Sequence, residues 1–323
     1  MAATAVAGDA SAIAQAKARN AVLQDRAFHL LTLACAVLVV VLLLAVMVSL
    51  IVGAWPALQT FGIGFLGSSS WNPPKELFGA LPPIYGTIVT SIIAMVIGIP
   101  VSFGIAIFLT ELCPTVLRRP IGIAIELLAG IPSIIYGLWG FFFLAPFLQK
   151  TIQPVLINSL GKIPGLGLLF GGPAYGIGLL TAGIILAIMV LPFITSITRD
   201  VFSTVPTLLR ESAYGMGMTT WEVSRSIVIP YTRVGLVGGV MLGLGRALGE
   251  TMAVTFVIGN SHKIVASILA PATTISATIA NEFTEATGDI YTSSLIALGL
   301  ILFIITFAVL AVAKWLLVHT AVK

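Results

Sequence analysis

Residues Glu211 to Pro230 read ESAYGMGMTTWEVSRSIVIP, a polar stretch between two long apolar runs. The pattern predicts a short amphipathic helix from Thr207 to about Ser224. Gly215 and Gly217 would let another backbone come close or let the helix turn. Such a helix either lies among lipid headgroups or is contacted by a partner. The residues on or near its apolar side are Leu208, Leu209, Ala213, Met216 and Met218.

The composition around this stretch is that of a membrane protein. Hydrophobic residues make up 58% of the chain, charged residues only 9%, and the mean hydropathy is +1.11. Continuous apolar runs of about 20 residues cross a bilayer as helices, whereas barrel strands would alternate in polarity. The predicted fold class is therefore all-α integral membrane, with six transmembrane helices. They are Phe28–Val52, Ile84–Thr110, Ile121–Ala145, Tyr175–Thr198, Val234–Gly259 and Ser294–Ala313.

The basic residues orient these helices. Cytoplasmic loops of membrane proteins carry an excess of Lys and Arg. Most of the 16 Lys and Arg residues fall on one side of the predicted spans, the side with Glu211–Pro230, whereas Lys75, Lys150, Lys162 and Lys263 fall on the other. We therefore predict cytoplasmic N- and C-termini. The net charge of +4 reflects this bias and indicates no nucleic-acid partner.

The sequence carries no pattern of a catalytic or metal site. It has no GxxxxGK[ST] phosphate loop and no HExxH, and its three histidines are scattered. Cys35 and Cys113 lie apart, without CxxC spacing, and read as packing residues. We expect no cofactor, no metal and no enzymatic activity, so any ATP hydrolysis belongs to a partner subunit.

The fifth apolar run contains two charges, Arg246 and Glu250. At a rise of 1.5 Å per residue, Arg246 lies roughly 20 Å along a helix from Arg233. A charge at that depth costs about 2.5–3.5 kcal/mol and normally faces a water-filled path or a partner. Gly239 and Gly243 are expected on the same face, where they would admit another helix. We predict that this face lines a transport path.

A structural ion pair is the alternative for Arg246 and Glu250, because residues at i and i+4 can neutralise each other. The two interpretations are compatible, since an anion can compete for the planar guanidinium fork. Glu126, near the start of the third run, is a weaker candidate and is interpreted as helix packing. Glu111 is interpreted as an acid at the cytoplasmic end of the second run.

The polar stretch resembles the EAA loop of bacterial ABC importer permeases. Ser212 stands where that pattern prefers Ala, and Ile229 where it prefers Leu. The resemblance implies a type I ABC importer permease with a cytoplasmic coupling helix, in a loop of about residues 199–232, on which an ATPase subunit pushes. The coupling residues that it implies are Glu211, Ser212, Ala213, Gly217, Ile227 and Pro230.

Three further stretches resemble the phosphate permease family PstC. They are ALPPIYGTIVTS (Ala80–Ser91), RRPIGIAIELLAGIPSIIYGLWG (Arg118–Gly140) and LGRALGETMAV (Leu244–Val254). The resemblance implies a bacterial inner-membrane importer with a sister permease PstA, two copies of the ATPase PstB and the periplasmic phosphate-binding protein PstS. It also implies that Arg246 and Glu250 take part in phosphate passage.

The resemblance divides the chain into five parts. They are a cytoplasmic tail (1–27), a first transmembrane helix (28–53), a periplasmic segment (54–83), the permease domain (84–316) and a second tail (317–323). The first helix, preceded by basic residues, is too long for a signal peptide and is expected to be retained. Three long outer loops, Trp55–Pro83, Pro146–Ala174 and Asn260–Thr292, either dock an extracytoplasmic partner or pack against the membrane.

Two other functions stay open. The first is an ABC permease for another oxyanion, such as molybdate, sulfate or phosphonate. The second is an autonomous secondary transporter, which would need intramembrane acids and inverted repeats. Neither feature is convincing here. Co-purification separates these classes, since only an ABC permease should bring down an ATPase.

Overall fold

The computed structural model describes residues 2–321, and the side chains of residues 24–315. Within these residues the regular structure is helical, apart from one isolated β-bridge between Asn72 and Leu77. Six helical segments in the described part are long and apolar enough to cross a membrane, which confirms the predicted fold class. They are Gln24–Phe61, Leu81–Leu112, Ser133–Lys162, Leu179–Ser203, Thr220–Leu248 and Asp289–Trp315.

The α-helices are numbered in chain order. They are α1 (Ala2–Phe61), α2 (Gly64–Gly67), α3 (Leu81–Ile107), α4 (Thr115–Ala129), α5 (Ser133–Trp139), α6 (Ala145–Phe147), α7 (Gln153–Ser159), α8 (Gly167–Phe170), α9 (Leu179–Ser203), α10 (Thr207–Gly215), α11 (Thr220–Val223), α12 (Ile229–Leu248), α13 (Met252–Ile258), α14 (Ile275–Glu282) and α15 (Asp289–Ala321). Wider π-type turns link several of them: Phe108–Leu112, Gly140–Leu144, Leu148–Ile152 and Ser224–Val228.

By contacts the chain divides into two units, Met1–Gly53 and Ala54–Lys323. In the first unit, most of the large apolar side chains from Phe28 onward are exposed, as expected of a helix surrounded by lipid. The predicted tails, 1–27 and 317–323, lie largely outside the side chains that the structure describes. The proposed limits of the five sequence parts stay predictions.

The core of the second unit is built around α9. Its Val190 and Ile194 are fully buried and pack with Met95 of α3 and Ala247 of α12. Three glycines of α12, spaced at four residues, bring that helix close to α9, because a methyl group at each would touch a branched side chain of α9. The pairs are Gly235 with Val201, Gly239 with Ile197 and Gly243 with Ile194.

The predicted third span, Ile121–Ala145, is wrong in its limits. Helix α4 ends at Ala129, and the spanning segment begins only at Ser133. Pro132 has an extended backbone (φ −55°, ψ 135°) and has no N–H to continue α4. The apolar composition runs through this break, so hydropathy alone does not locate it. The helical segment then extends to Lys162, into residues that the sequence had suggested as an outer loop.

The fifth span is displaced in the same way. It begins at Thr220 and ends at Leu248, instead of running from Val234 to Gly259. Gly249, Glu250 and Thr251 interrupt the helix before α13 begins at Met252. This interruption places the second charge of the predicted site outside the spanning helix.

Candidate functional site

The polar stretch forms two helices with a turn between them. Helix α10 ends at Gly215, and Gly217 adopts φ +84°, a conformation that glycine reaches without strain. Thr219 then caps α11: its hydroxyl accepts a hydrogen bond from the Glu222 N–H, and the Glu222 carboxylate accepts one from the Thr219 N–H. The predicted single helix, Thr207 to about Ser224, is therefore wrong, because the left-handed turn ends it.

The structure separates the predicted coupling residues into two groups. Glu211, Ser212 and Gly217 are exposed, on α10 and its turn. Ala213 is buried in a cluster with Ala106, Phe202, Val223 and Leu236, and Ile227 packs against that cluster. Pro230 lies in the first turn of α12.

Large apolar side chains on and beside α10 have no cover in this chain. Leu208 is 71% exposed, Met216 75% and Trp221 62%. Exposed apolar groups at a helix surface, rimmed by polar ones, mark a contact with lipid or with another protein. Since the other side of α10 packs through Ala213, the helix has one face against this chain and one face that this chain leaves uncovered.

Arg210 fixes α10 to two spans, a feature that the sequence reading missed. Its Nη2 lies 3.3 Å from Oε1 of Glu111, at the end of the second span, and donates a hydrogen bond of 2.6 Å to the carbonyl of Phe202 near the end of α9. The Glu111 side chain is only 6% exposed. The sequence does contain a signal for this pair: Arg210 directly precedes Glu211, and Glu111 is an isolated acid at the end of another span.

The two charges of the fifth segment form an ion pair. Arg246 Nη2 lies 3.0 Å from Oε2 of Glu250. The glutamate side chain is 3% exposed and its Oε1 accepts a hydrogen bond from the N–H of Ala253 in α13 (3.3 Å), whereas the arginine side chain is 43% exposed. The carboxylate is therefore held from two sides. Part of the guanidinium remains exposed and is not covered by other residues of this chain.

The predicted face of Gly239, Gly243, Arg246 and Glu250 is only partly correct. The two glycines are buried against α9, and Arg246 lies at the exposed side of α12 with Leu242. Glu250 does not continue the helix, which ends at Leu248. The ion pair bridges the helix and the break that follows it.

Residues of the predicted outer loops meet in a second polar cluster. The Trp71 indole N–H and the Tyr291 hydroxyl each donate to Oε2 of Glu282 at 2.7 Å, and His262 Nε2 lies 2.9 Å from Oε1. Burial raises the pKa of Glu282, but these hydrogen bonds lower it by more, so the net pKa is below its usual value. The cluster joins the first predicted outer loop, through Trp71, to the third, which carries His262, Glu282 and Tyr291.

Six apolar helices, with a short amphipathic helix packed against the ends of α3 and α9, form the fold of a type I ABC importer permease. Two solved importers share this fold at low sequence identity. A chain of the MetNI methionine ABC transporter in an inward-facing conformation aligns with a TM-score of 0.56 and 16% identity, over 77% of this chain and 99% of that one. A chain of a bacterial importer of the acidic polysaccharide alginate aligns with a TM-score of 0.52 and 15% identity, over 86% of this chain and 95% of that one.

The chain belongs to the family described as binding-protein-dependent transport system inner membrane component, whose model matches residues 98–319. Similar curated relatives carry the name phosphate transport system permease protein PstC. The protein of Mesorhizobium japonicum is 68% identical over 94% of this chain and 93% of its own length. The protein of Haemophilus influenzae is 57% identical over 86% of this chain and 88% of its own length.

Proposed function

We propose that this chain is the membrane subunit of an ATP-driven phosphate importer and forms half of its translocation pathway. The observation that carries the proposal is the Arg246–Glu250 pair, with a buried carboxylate and a guanidinium open on one side. The names of close relatives supply the identity of the anion. The other half of the pathway would come from a sister permease, PstA.

Arg246 would attract the anion. Its contact with Glu250 is made through Nη2, and a guanidinium has five N–H donors, so others can turn to a bound oxyanion. Arg suits this role because its planar fork gives an oxyanion two parallel hydrogen bonds. The exposed side of α12, with Leu242 and Arg246, would face the sister permease.

Helix α10 would couple the permease to ATP hydrolysis. We propose that two copies of the ATPase PstB contact the permease pair on the cytoplasmic side, and that the periplasmic protein PstS delivers phosphate on the other. Both termini would then be cytoplasmic, in the bacterial inner membrane. The uncovered apolar groups of α10 support the ATPase contact, and the distribution of Lys and Arg supports the orientation.

Uptake of radiolabelled phosphate tests the proposal directly. Cells that lack their own phosphate importers would express this chain with its three partner proteins. We expect uptake that depends on the chain and resists competition by excess sulfate or molybdate. Uptake of sulfate or molybdate in place of phosphate would make the chain a permease for another oxyanion.

Replacing Glu250 by glutamine is expected to weaken the distinction between phosphate and sulfate. Protonated phosphate can donate an O–H to a carboxylate, whereas sulfate has no proton to donate and is repelled. The amide removes the repulsion, and we expect the inhibition of phosphate uptake by sulfate to increase about tenfold, the effect of about 1.4 kcal/mol. Competition curves for the two anions measure this change. A variant that imports phosphate normally and still excludes sulfate would refute the role in selectivity.

Replacing Leu208 by aspartate is expected to detach the ATPase without unfolding the permease. Leu208 is 71% exposed on α10, so a charge costs little in the free chain but would be desolvated in an apolar contact. We expect the ATPase that co-purifies to fall about tenfold, corresponding to about 1.4 kcal/mol. Val116→Asp is the matched control, since Val116 is 82% exposed in the first turn of α4 and lies outside the coupling stretch. Equal ATPase recovery with both variants would contradict docking through Leu208.

A further inference from the structure

A buried acid lies beneath the coupling helix. The Glu111 side chain is 6% exposed and its partner Arg210, on α10, is 20% exposed. Glu111 lies in the last turn of the segment that begins with α3 and ends at Leu112, so the pair connects the coupling helix to the second span. A charge buried to this degree is costly unless it is paired. The pair therefore has to be maintained, or exchanged for another contact, whenever α10 moves.

Arg210 reaches a second span through the same nitrogen. Its Nη2 donates to the carbonyl of Phe202 at 2.6 Å, near the end of α9. Phe202 itself is fully buried in the apolar cluster that also contains Ala213 of α10. One guanidinium thus joins α10, the end of the second span and the end of the fourth.

Each residue of the Arg210–Glu111 pair has a buried polar atom without a hydrogen-bond partner in this conformation. Oε1 of Glu111 and Nε of Arg210 are both buried and have no hydrogen-bond partner. The 3.3 Å contact is therefore an ion pair whose N–H groups are not aligned with the carboxylate. Buried donors and acceptors left without partners cost free energy, and a small shift of α10 can recover that cost by alignment.

We propose that Arg210 and Glu111 are positioning residues that transmit the movement of α10 to the second and fourth spans. The pair would tighten when the ATPase displaces α10 and loosen when it returns. Transmission through this pair rests on the proposed function, in which α10 receives the ATPase. The apolar contact of Ala213 keeps α10 attached, while the ion pair sets its position relative to the two spans.

The test compares transport with ATP hydrolysis in the same vesicles. The complete complex would be reconstituted in proteoliposomes with its binding protein, and radiolabelled phosphate uptake and ATP hydrolysis would be measured together. The variants are Glu111→Gln, Arg210→Gln and the double substitution. The matched control is Arg199→Gln with Glu126→Gln, which removes another ion pair (2.7 Å) that joins α9 to α4 without contacting α10.

We expect each single variant to hydrolyse ATP at a rate near that of the parent complex. The same variants should import about tenfold less phosphate per ATP, because a lost interaction of about 1.4 kcal/mol between neighbouring groups corresponds to that factor. The double variant leaves no unpaired buried charge, so it should assemble well and still be uncoupled. The control double variant should keep the parental ratio.

Three results would overturn the inference: an unchanged ratio in the single variants, a ratio restored by the double variant, or an equal loss in the control. If the single variants fail to assemble, the double variant decides. A parent complex that imports no phosphate would contradict the proposed function instead. In that case the stimulation of ATP hydrolysis by the binding protein still tests the pair. Loss of this stimulation in the double variant would support the role of the pair, and unchanged stimulation would contradict it.

Discussion

Phosphate uptake is expected to fall about 100-fold when Arg246 is replaced by glutamine. The substitution removes the positive charge and the planar fork, and two charge-assisted hydrogen bonds at about 1.5 kcal/mol each account for that factor. Initial uptake of radiolabelled phosphate, normalised to the amount of permease in the membrane and to co-purified ATPase, measures the effect.

The substitution also leaves Glu250, 3% exposed, without its charged partner, so a second variant is needed. Arg246→Gln combined with Glu250→Gln removes both charges and with them the cost of an unpaired buried carboxylate. We expect this double variant to assemble and to remain inactive. Restored uptake would make the pair structural and move the search for the anion site to the sister permease.

The second large effect is expected at Gly86, in the N-terminal half of α3. A methyl group there would overlap the carbonyl oxygen of Thr273, which is backbone and has little room to move. The neighbouring Thr87 hydroxyl accepts a hydrogen bond of 2.9 Å from the N–H of Ile275, so the same displacement would disturb the start of α14. Overpacking of this kind costs about 3 kcal/mol. For Gly86→Ala we expect an unfolding midpoint about 10 °C lower in detergent.

Gly104→Ala is the control within the same helix. Apart from the adjoining residues of its own helix, no described atom lies within 4 Å of a methyl group at that position. Alanine is favoured over glycine in a helix by about 1 kcal/mol, so this variant should unfold at the parental temperature or slightly above it. Equal midpoints for Gly86→Ala and the parent chain would show that the loop at Thr273 yields, and would contradict the predicted clash.

The number and class of the spanning helices could be predicted from the sequence, because each helix depends on the hydropathy of its own contiguous residues. The limits of two spans could not. Before Pro132 and at Gly249 a helix stops inside apolar sequence, and the local composition on either side is the same. Backbone breaks of this kind depend on single residues and on what packs around them.

The predicted coupling residues show the same division between local pattern and tertiary contact. The spacing of Glu211, Ala213 and Gly217 identified the stretch, since a helix and its turn are local. Which side of the helix is buried was decided by contacts of Ala213 with Phe202 and Ala106, residues of two other spans. The ion pair of Arg210 with Glu111 was missed for the same reason.

The sequence by itself determined that this protein has six apolar helices of membrane-spanning length, carries a stretch that resembles an ABC coupling loop, and places Arg246 and Glu250 four residues apart. Each of these properties lies within a short stretch of chain, where hydropathy and residue spacing act directly. The tertiary structure decided that Glu250 lies in a helix break, that Gly239 and Gly243 face α9, and that Arg210 joins two spans. Those properties arise from close contact between residues far apart in the chain, and no local pattern encodes them.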